Sequence, residues 1–322
     1  MKAIQVQALG GPEVMQLVDL PMPTPGPGEV LVKLTAAGVN FTDIYKRSGQ
    51  YAGQVPYTPG EEGSGIVTAL GPNVHDVQVG DHVAFAHISG SYAEYIVAPV
   101  SRLVPVPADL DLAQAAAVML QGMTAHYLSH STFPLKAGDV ALVHAAAGGV
   151  GLLLVQMAKQ RGARVIATVS TEEKAQMARG VGADEIILYT QEDFAAATKK
   201  LTAQRGVDVV YDSVGKTTFD QSLLCLRPRG MLVIFGQSSG AVPPFDVQQL
   251  NAKGSLFLTR PTLANYIADR KELLGRANDL FTWMSQGQLK VHVGTTFPLA
   301  AAVEAHRALA GRVTTGKVLL VP

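Results

Sequence analysis

The sequence predicts an α/β protein in which a doubly wound parallel sheet is combined with a second, mainly β domain. Two observations lead to this prediction. Apolar strand segments and helical segments alternate regularly from about residue 123 to residue 259, whereas residues 1 to about 120 carry short strand signals separated by turns. Alternation of strands and helices is typical of a parallel sheet that is covered on both faces.

In the alternating region each predicted element has its own local signal. The apolar strand Val140–His144 precedes a glycine-rich turn and a helical run over Leu152–Arg161. A strand at Arg164–Val169 and a helix at Glu172–Gly180 follow. Four further strands are predicted, at Glu185–Leu188, Asp208–Asp212, Met231–Phe235 and Ser255–Thr259. The spacing of these segments predicts a complete six-stranded parallel sheet.

The rest of the chain predicts the second domain. Strands are expected around Val30–Leu34, Gly65–Val67 and His82–Phe85, and the tail returns to short strands at Thr295–Phe297 and Lys317–Val321. Since the parallel sheet is already complete, we expect the tail to join the first domain. The predicted domains are therefore residues 1–122 with 260–322, and residues 123–259, and the cleft between them is the expected ligand site.

Composition excludes several function classes. The 322 residues are 48% hydrophobic and 16% charged, with a formal net charge of zero, which gives no electrostatic reason to expect a nucleic-acid or membrane partner. The single cysteine, Cys225, excludes an intramolecular disulfide framework and a multi-cysteine zinc site. The N-terminus lacks the apolar core of a signal peptide, and no apolar stretch is long enough to span a membrane, so a cytoplasmic location is expected.

The turn Ala146-Ala147-Gly148-Gly149-Val150-Gly151 fits the glycine fingerprint of dinucleotide-binding folds, with alanine at the first glycine position. A glycine motif alone is weak evidence, but this one follows a buried strand and opens a helix. Gly148 would let the backbone approach a pyrophosphate, and Gly151 would let helix and strand pack closely. The helix N-terminus would offer free N–H groups and a positive dipole end to the phosphates.

The end of the second parallel strand predicts which dinucleotide binds. NAD-binding proteins place an acidic residue about 20 residues beyond the motif, whereas this chain has Thr168-Val169-Ser170, followed by Lys174 in the next helix. A hydroxyl and an ammonium suit a 2′-phosphate, which a carboxylate would repel, so NADPH is expected. Alternatively, Ser170 or Thr171 only caps the helix, with Glu173 completing a capping box, and Lys174 is solvated.

Several segments, in the same order along the chain, resemble the zinc-independent quinone oxidoreductase branch of the medium-chain dehydrogenase/reductase superfamily, which includes zeta-crystallin. The resemblance spans nearly the whole chain. The matching segments are 40–49 (NFTDIYKRSG), 59–65 (PGEEGSG), 121–128 (QGMTAHYL), 144–151 (HAAAGGVG), 206–215 (GVDVVYDSVG), 235–240 (FGQSSG), 258–261 (LTRP) and 315–317 (TGK). It implies a Rossmann domain and a GroES-like catalytic domain.

The resemblance also implies site residues. Asn40 and Tyr45 would flank the nicotinamide and the acceptor, with Tyr51 near the mouth of the cleft, as the predicted catalytic residues. The implied cofactor-binding residues are Asn40, Thr124, Ala147, Gly148, Gly149, Val150, Ser170, Lys174, Tyr189, Ser213, Phe235, Ser238, Ser239, Thr259 and Arg312.

No metal is expected. Zinc-dependent members of the superfamily hold the catalytic ion with two cysteines and a histidine, and this chain has Asn40, Glu61 and Gln121 at the matching positions. One carboxylate beside two amides is a poor zinc site. Without a Lewis acid to stabilise an alkoxide, the chemistry should favour acceptors that hold negative charge themselves, such as quinones.

The resulting hypothesis is an NADPH:quinone oxidoreductase that transfers hydride to a small quinone-like acceptor. An NADPH-dependent enone or enal reductase is the nearer alternative, because both reactions need the same hydride geometry. A structural or RNA-binding role, as in crystallin-like relatives, is the alternative from another class; the zero net charge disfavours RNA binding and the intact cofactor motifs disfavour a purely structural role.

Three further predictions concern assembly and packing. The strand at Ser255–Thr259 should be the last of its sheet, and pairing of two such edges predicts a homodimer. His144 is expected to be a hydrogen-bonded core residue. Asp43 and Arg47, four residues apart on a predicted helix, are expected to form an ion pair.

Overall fold

The computed structural model describes residues 1–322 and confirms the α/β fold class. Its strands are β1 (Lys2–Val6), β2 (Met15–Asp19), β3 (Glu29–Val39), β4 (Glu62–Leu70), β5 (His82–Ala86), β6 (Tyr95–Pro99), β7 (Val104–Pro105), β8 (Val140–Val143), β9 (Arg164–Val169), β10 (Glu185–Leu188), β11 (Val207–Asp212), β12 (Leu226–Ile234), β13 (Phe257–Thr259), β14 (Val293–Pro298) and β15 (Lys317–Val321).

The structure contains ten α-helices. They are α1 (Phe41–Arg47), α2 (Leu112–Tyr127), α3 (Gly149–Gln160), α4 (Glu172–Gly180), α5 (Phe194–Leu201), α6 (Phe219–Cys225), α7 (Gln248–Ala252), α8 (Leu263–Tyr266), α9 (Arg270–Ser285) and α10 (Ala302–Ala310). Short 3-10 turns occur at Pro12–Val14, Val100–Arg102 and Leu299–Ala301, and a π-helical turn at Leu128–Thr132 continues α2. No helix is both long and apolar enough to cross a membrane.

The chain divides into two compact units. Unit 1 consists of Met1–Met123 and Tyr266–Pro322, and unit 2 of Thr124–Asn265. Unit 1 contains the two-stranded sheet β1-β2 and a seven-stranded sheet in the order β14-β15-β3-β4-β5-β7, with β6 also paired to β3. The C-terminal strand β15 pairs antiparallel with β3, so the tail completes the sheet of the N-terminal segment.

Unit 2 is built on a six-stranded parallel sheet in the order β10-β9-β8-β11-β12-β13. Counted within the unit, this order is 3-2-1-4-5-6, the arrangement of the dinucleotide-binding Rossmann fold. Its core includes the fully buried side chains of Leu142, Ile166 and Val210. The strand order reverses between β8 and β11, and in such sheets ligands bind beyond the carboxyl ends of the strands at that point.

Some element boundaries differ from the predicted ones. Strand β12 begins at Leu226, five residues before the predicted start, because β11 pairs with it as far back as Val207 across a register shift. Helix α3 begins at Gly149, inside the glycine turn, where the sequence predicted Leu152. The first turn of α3 was not predicted because glycine has a low helix propensity. Packing of the helix stabilises this turn nevertheless.

Candidate active site

The glycine turn of unit 2 has the geometry of an anion-binding helix N-terminus. Gly148 is the N-cap residue of α3 with an extended backbone, and no side chain caps the helix. A Cβ at Gly151 would overlap the carbonyl oxygen of Ala145 and lie 2.7 Å from Ala146 Cα, so only glycine permits this approach. The N–H groups of the first turn and the helix dipole are therefore available to a phosphate.

The ends of β9 and β10 bring together the three residues predicted to surround the adenosine phosphate. Ser170 follows β9 directly and Tyr189 follows β10, and Thr190 Oγ1 donates to the carbonyl oxygen of Ser170 at 3.0 Å. Lys174 lies in the first turn of α4. Thr171 is the N-cap, accepting from Lys174 N at 3.3 Å, so Ser170 does not serve as the helix cap.

The charged residues that follow the end of β9 in the chain belong to the first turn of α4. The two acidic residues of its first turn are exposed, and Glu172 is paired with Arg179 at 2.5 Å. Neither carboxylate occupies the end of β9, where an NAD-binding protein would place one. This arrangement suits a phosphate more than a pair of ribose hydroxyls.

The ends of β11, β12 and β13 hold a third group of predicted cofactor residues. Ser238 N donates to the carbonyl oxygen of Ser213 at 3.2 Å, and Ser239 Oγ donates to that of Val214 at 2.7 Å. The absent side chain of Gly236 allows this contact, because a Cβ there would lie 2.6 Å from Ser213 O. Phe235 follows β12 and Thr259 ends β13, so these two predicted residues lie at the same edge.

A buried polar network links three strand ends of unit 2. His144, confirmed as a hydrogen-bonded core residue, contacts Thr168 Oγ1 at 2.8 Å and Ser222 Oγ at 3.0 Å. Ser222 donates to Asp212, whose other oxygen accepts from Val214 N at 2.7 Å. Burial lowers the pKa of His144, which keeps the ring neutral. Asp212 was not among the predicted site residues, although an aspartate followed by Ser-Val-Gly at a strand end is typical of an Asx turn.

Unit 1 brings the three predicted catalytic residues together around α1. Asn40 is the N-cap of this helix, and Tyr45 lies within it, 6% exposed. The Tyr45 and Tyr51 rings meet edge to face with centroids 5.2 Å apart. Two adjacent aromatic rings offer an apolar wall with phenol groups to a flat ring.

Two further predicted cofactor-binding residues, Thr124 and Arg312, do not belong to the strand ends described above. Thr124 is a buried residue of α2 in unit 2. Arg312 lies in the turn between α10 and β15 of unit 1, with a left-handed φ of 58°.

The Asn40 side chain belongs to a buried hydrogen-bond network that sequence analysis missed. Asn40 Nδ2 donates to Glu62 Oε1 at 2.6 Å, and Asn40 Oδ1 accepts from Lys317 Nζ at 3.1 Å. Glu62 and Lys317 also pair directly, with side chains 0% and 1% exposed. Gln121 Nε2 donates to Asn40 Oδ1 at 3.2 Å. The only local signal was Gly38 within a strand, since glycine there can mark a close approach.

Glu61, which matches a zinc-ligand position of the zinc-dependent relatives, has other partners in this chain. Its carboxylate pairs with Lys46 and lies 3.4 Å from Thr42 Oγ1. The Glu61 side chain is 6% exposed and that of Lys46 is 31% exposed. An ammonium at this carboxylate supplies the positive charge that stabilises a buried anion.

The predicted ion pair between Asp43 and Arg47 is wrong. Asp43 Oδ2 instead accepts from Asn40 N at 2.8 Å, closing a capping box, and from Tyr92 OH at 2.9 Å. Arg47 Nη1 turns to His306 Nδ1 at 3.3 Å. Burial raises the pKa of Asp43 to about 7 and lowers that of His306 to about 3. The pattern Asn-x-x-Asp at 40–43 is itself a capping signal, which outweighs the spacing rule for ion pairs.

Comparison with known proteins matches both units. Residues 26–108 match the alcohol dehydrogenase GroES-like domain, and residues 149–273 match the zinc-binding dehydrogenase family. A quinone oxidoreductase of Pseudomonas aeruginosa is 46% identical over 323 residues, covering 100% of this chain and 99% of the relative. A 2-haloacrylate reductase of a Burkholderia species is 43% identical over 328 residues, covering 99% and 98% respectively.

Among solved structures, the quinone oxidoreductase of Escherichia coli in complex with NADPH aligns with a TM-score of 0.98 at 42% identity, with 100% of both chains covered. The strand order and the glycine turn of unit 2, together with the GroES-like match in unit 1, define a two-domain protein of the medium-chain dehydrogenase/reductase class. Within that superfamily, the chain belongs to the quinone oxidoreductase family.

Proposed function

We propose that this chain is an NADPH-dependent quinone reductase that transfers hydride without a catalytic metal. The observation that carries the cofactor assignment is the carboxyl edge of the unit 2 sheet. It combines an uncapped helix N-terminus at Gly148–Gly151 with Ser170 directly after β9, Lys174 in the first turn of α4 and Tyr189 directly after β10. The end of β9 itself carries no carboxylate. The residues present therefore fit a phosphorylated dinucleotide.

Each unit has its own part in this proposal. The glycine turn, the residues at the strand ends of unit 2 and the predicted contacts Thr124 and Arg312 bind the cofactor. NADPH, when bound, supplies the hydride equivalent. Tyr45 and Tyr51 position a flat acceptor by ring contact. The donor set of Asn40, Glu61 and Gln121 is a poor zinc site, because two of its members are amides and the Glu61 carboxylate is paired with Lys46.

An enoate or enone reductase is the second candidate. It is favoured by the 43% identity to the Burkholderia relative, whose substrate class is a halogenated acrylate. A quinone and an α,β-unsaturated carbonyl both accept hydride at a carbon and gather charge on oxygen. The same scaffold can therefore serve either acceptor, and the pocket shape decides between them.

The deciding assay follows NADPH oxidation with three acceptors in parallel, namely a 1,4-naphthoquinone, a short enone and 2-chloroacrylate. We expect the naphthoquinone to give the highest kcat/KM. Reduction of the enone or of 2-chloroacrylate alone would reject the quinone assignment. Absence of NADPH oxidation with every acceptor would reject the whole proposal, including the enzymatic role over the structural or RNA-binding one.

The cofactor preference is tested by Lys174→Ala. Loss of a charge-assisted hydrogen bond costs about 1.5–3 kcal/mol, so the Kd for NADPH should rise about 10- to 100-fold. The Kd for NADH, which lacks the phosphate, should change less than about twofold. Quenching or enhancement of the nicotinamide fluorescence measures both. Lys200→Ala, an exposed lysine of α5, is the matched control and should leave both constants unchanged. Equal losses for the two nucleotides would contradict the assignment of Lys174.

We also propose a homodimer in the cytoplasm, formed through β13. This strand pairs only with β12 and ends the sheet, and Phe257 on it is 56% exposed. An unpaired edge with an exposed aromatic residue favours pairing with a second copy. Sedimentation should give twice the 33.9 kDa chain mass, and Phe257→Asp should shift it toward one chain. A monomer at micromolar concentration for the unchanged protein would contradict the dimer.

A further inference from the structure

Two charged groups of fixed polarity hold the Asn40 amide. Its Nδ2 donates to Glu62 Oε1 at 2.6 Å and its Oδ1 accepts from Lys317 Nζ at 3.1 Å. A carboxylate can only accept hydrogen bonds and an ammonium can only donate them. The amide therefore has one allowed orientation, with oxygen toward Lys317 and nitrogen toward Glu62.

The two charges are built into the fold of unit 1. Glu62 Oε2 accepts from the backbone N–H of Leu120 in α2 at 2.7 Å. At Gly38 of β3, a Cβ would overlap the Glu62 carboxylate and lie 2.6 Å from Lys317 Cε. Each charge is satisfied by the other and by neutral donors or acceptors, so the pair is held in one arrangement.

The orientation of Asn40 dictates that of Gln121. Gln121 Nε2 donates to Asn40 Oδ1 at 3.2 Å. If the Gln121 amide were turned over, its oxygen would face the Asn40 oxygen, which is repulsive. Gln121 must therefore present its nitrogen to Asn40 and its Oε1 to the other side, where this oxygen is buried and has no hydrogen-bond partner.

We infer that Gln121 Oε1 is an oriented acceptor for an O–H donor at the acceptor site, which makes Gln121 a specificity-determining residue of the reaction. This inference rests on the proposed function. A buried acceptor of this kind is unfavourable until a donor reaches it. The oxidised quinone carries only acceptor oxygens and meets repulsion at Gln121, whereas the reduced product carries a hydroxyl that can donate to it.

The reaction supplies that O–H group. Hydride adds to a ring carbon conjugated to a carbonyl, and the C=C and C=O π electrons shift so that the electron pair ends on oxygen. One proton on that oxygen completes the first hydroxyl. Loss of the ring-carbon proton to solvent, with protonation of the second carbonyl oxygen, then gives the hydroquinone with two hydroxyls. The donor to Gln121 is either this product hydroxyl or a water molecule. In the second case the water gives one proton to the oxyanion and donates its other O–H to Gln121, and buffer neutralises the resulting hydroxide.

The first arm of the test uses ligand binding to the NADP⁺ complex under anaerobic conditions, with 1,4-dihydroxynaphthalene and 1,4-dimethoxynaphthalene as probes. The dimethoxy compound keeps the rings and has no O–H donor. The unchanged protein should prefer the dihydroxy compound by about 3- to 10-fold, the worth of one hydrogen bond. Gln121→Met, which removes the acceptor at similar size, should reduce this preference to less than about twofold. Gln78→Met, at an exposed position of unit 1, should keep it.

The second arm separates the two donors. If water is the donor, Gln121→Met leaves the binding preference unchanged and lowers the solvent deuterium isotope effect on kcat. If the product hydroxyl is the donor, the binding preference is lost instead. If both the preference and the isotope effect equal those of the unchanged protein, the inference is overturned. Failure of the proposed function is distinguishable, because the unchanged protein would then oxidise no NADPH with any acceptor.

The third arm tests the oriented amides. The double variant Glu62→Gln/Lys317→Met removes both charges and leaves Gln121 in place. Without these two charges the Asn40 amide can turn over. Whichever of the binding preference and the solvent isotope effect is lowered by Gln121→Met should therefore also be lowered in the double variant. A double variant that folds and behaves like the unchanged protein in both earlier measurements would refute the control of Gln121 by the charged pair. The Gln121→Met arm is independent of whether the double variant folds.

Discussion

Lys317→Met is expected to lower the free energy of unfolding by about 3–5 kcal/mol, the cost of breaking a buried ion pair on one side. The substitution leaves the Glu62 carboxylate, which is fully buried, without its counter-charge. Asn40 Nδ2 and the Leu120 N–H would still donate to it, but two neutral donors do not replace an ammonium. Urea unfolding followed by circular dichroism measures the loss.

Two further variants are compared with Lys317→Met. Lys33→Met changes an exposed lysine on β3 of the same sheet and should alter stability by less than about 0.5 kcal/mol. Glu62→Gln/Lys317→Met removes both charges, and most of the stability lost in the single variant should return. A single variant as stable as Lys33→Met would show that Glu62 and Lys317 do not form the buried pair described here.

Gly151→Ala is expected to weaken NADPH binding at least about tenfold and to destabilise the protein by about 1–3 kcal/mol, as overpacking does. The added methyl group would overlap Ala145 O and lie 2.7 Å from Ala146 Cα, both backbone atoms of the glycine turn. Helix α3 must then move away from the end of β8, which shifts the N–H groups that face the phosphates. Fluorescence titration with NADPH and thermal unfolding measure the two effects.

The control for this substitution is Gly180→Ala at the last residue of α4. A Cβ there has no atom within 4 Å, and the backbone does not require a positive φ. Alanine should be neutral or slightly stabilising at this position, because it loses less conformational entropy than glycine on folding. If Gly151→Ala and Gly180→Ala bind NADPH with equal affinity, the close approach of helix and strand at Gly151 is not needed for NADPH binding.

Part of unit 2 could be predicted to the residue from the sequence. The bounds of β9, α4 and β10 agree with the predicted ones to the residue. These elements carry a complete local signal, since a short apolar run defines each strand and the helix has a polar cap at one end and glycine at the other. The glycine turn was predictable for the same reason: its conformation is determined by the few residues that form it.

Contacts between distant residues were not predictable. Glu62 and Lys317 are 255 positions apart, and their pairing depends on the strand neighbours β15-β3-β4. Asp43 and Arg47 have a spacing typical of an ion pair. In the structure Asp43 instead accepts a hydrogen bond from Tyr92, and Arg47 contacts His306. The i,i+4 rule considers only residues of the same helix. Buried polar side chains, in contrast, form hydrogen bonds with whichever donors and acceptors the surrounding elements place next to them.

The alternation of strands and helices, the glycine turn and the basic, carboxylate-free end of β9 follow from local sequence, because each of these is encoded within a few consecutive residues. The orientation of Asn40 by Glu62 and Lys317, and the resulting placement of Gln121 Oε1 on the side away from Asn40, depend on contacts that form only in the folded chain. The donor or acceptor role of one side chain fixes the orientation of the next side chain that it contacts, and these side chains meet only after folding. Local sequence patterns do not indicate which strands become neighbours.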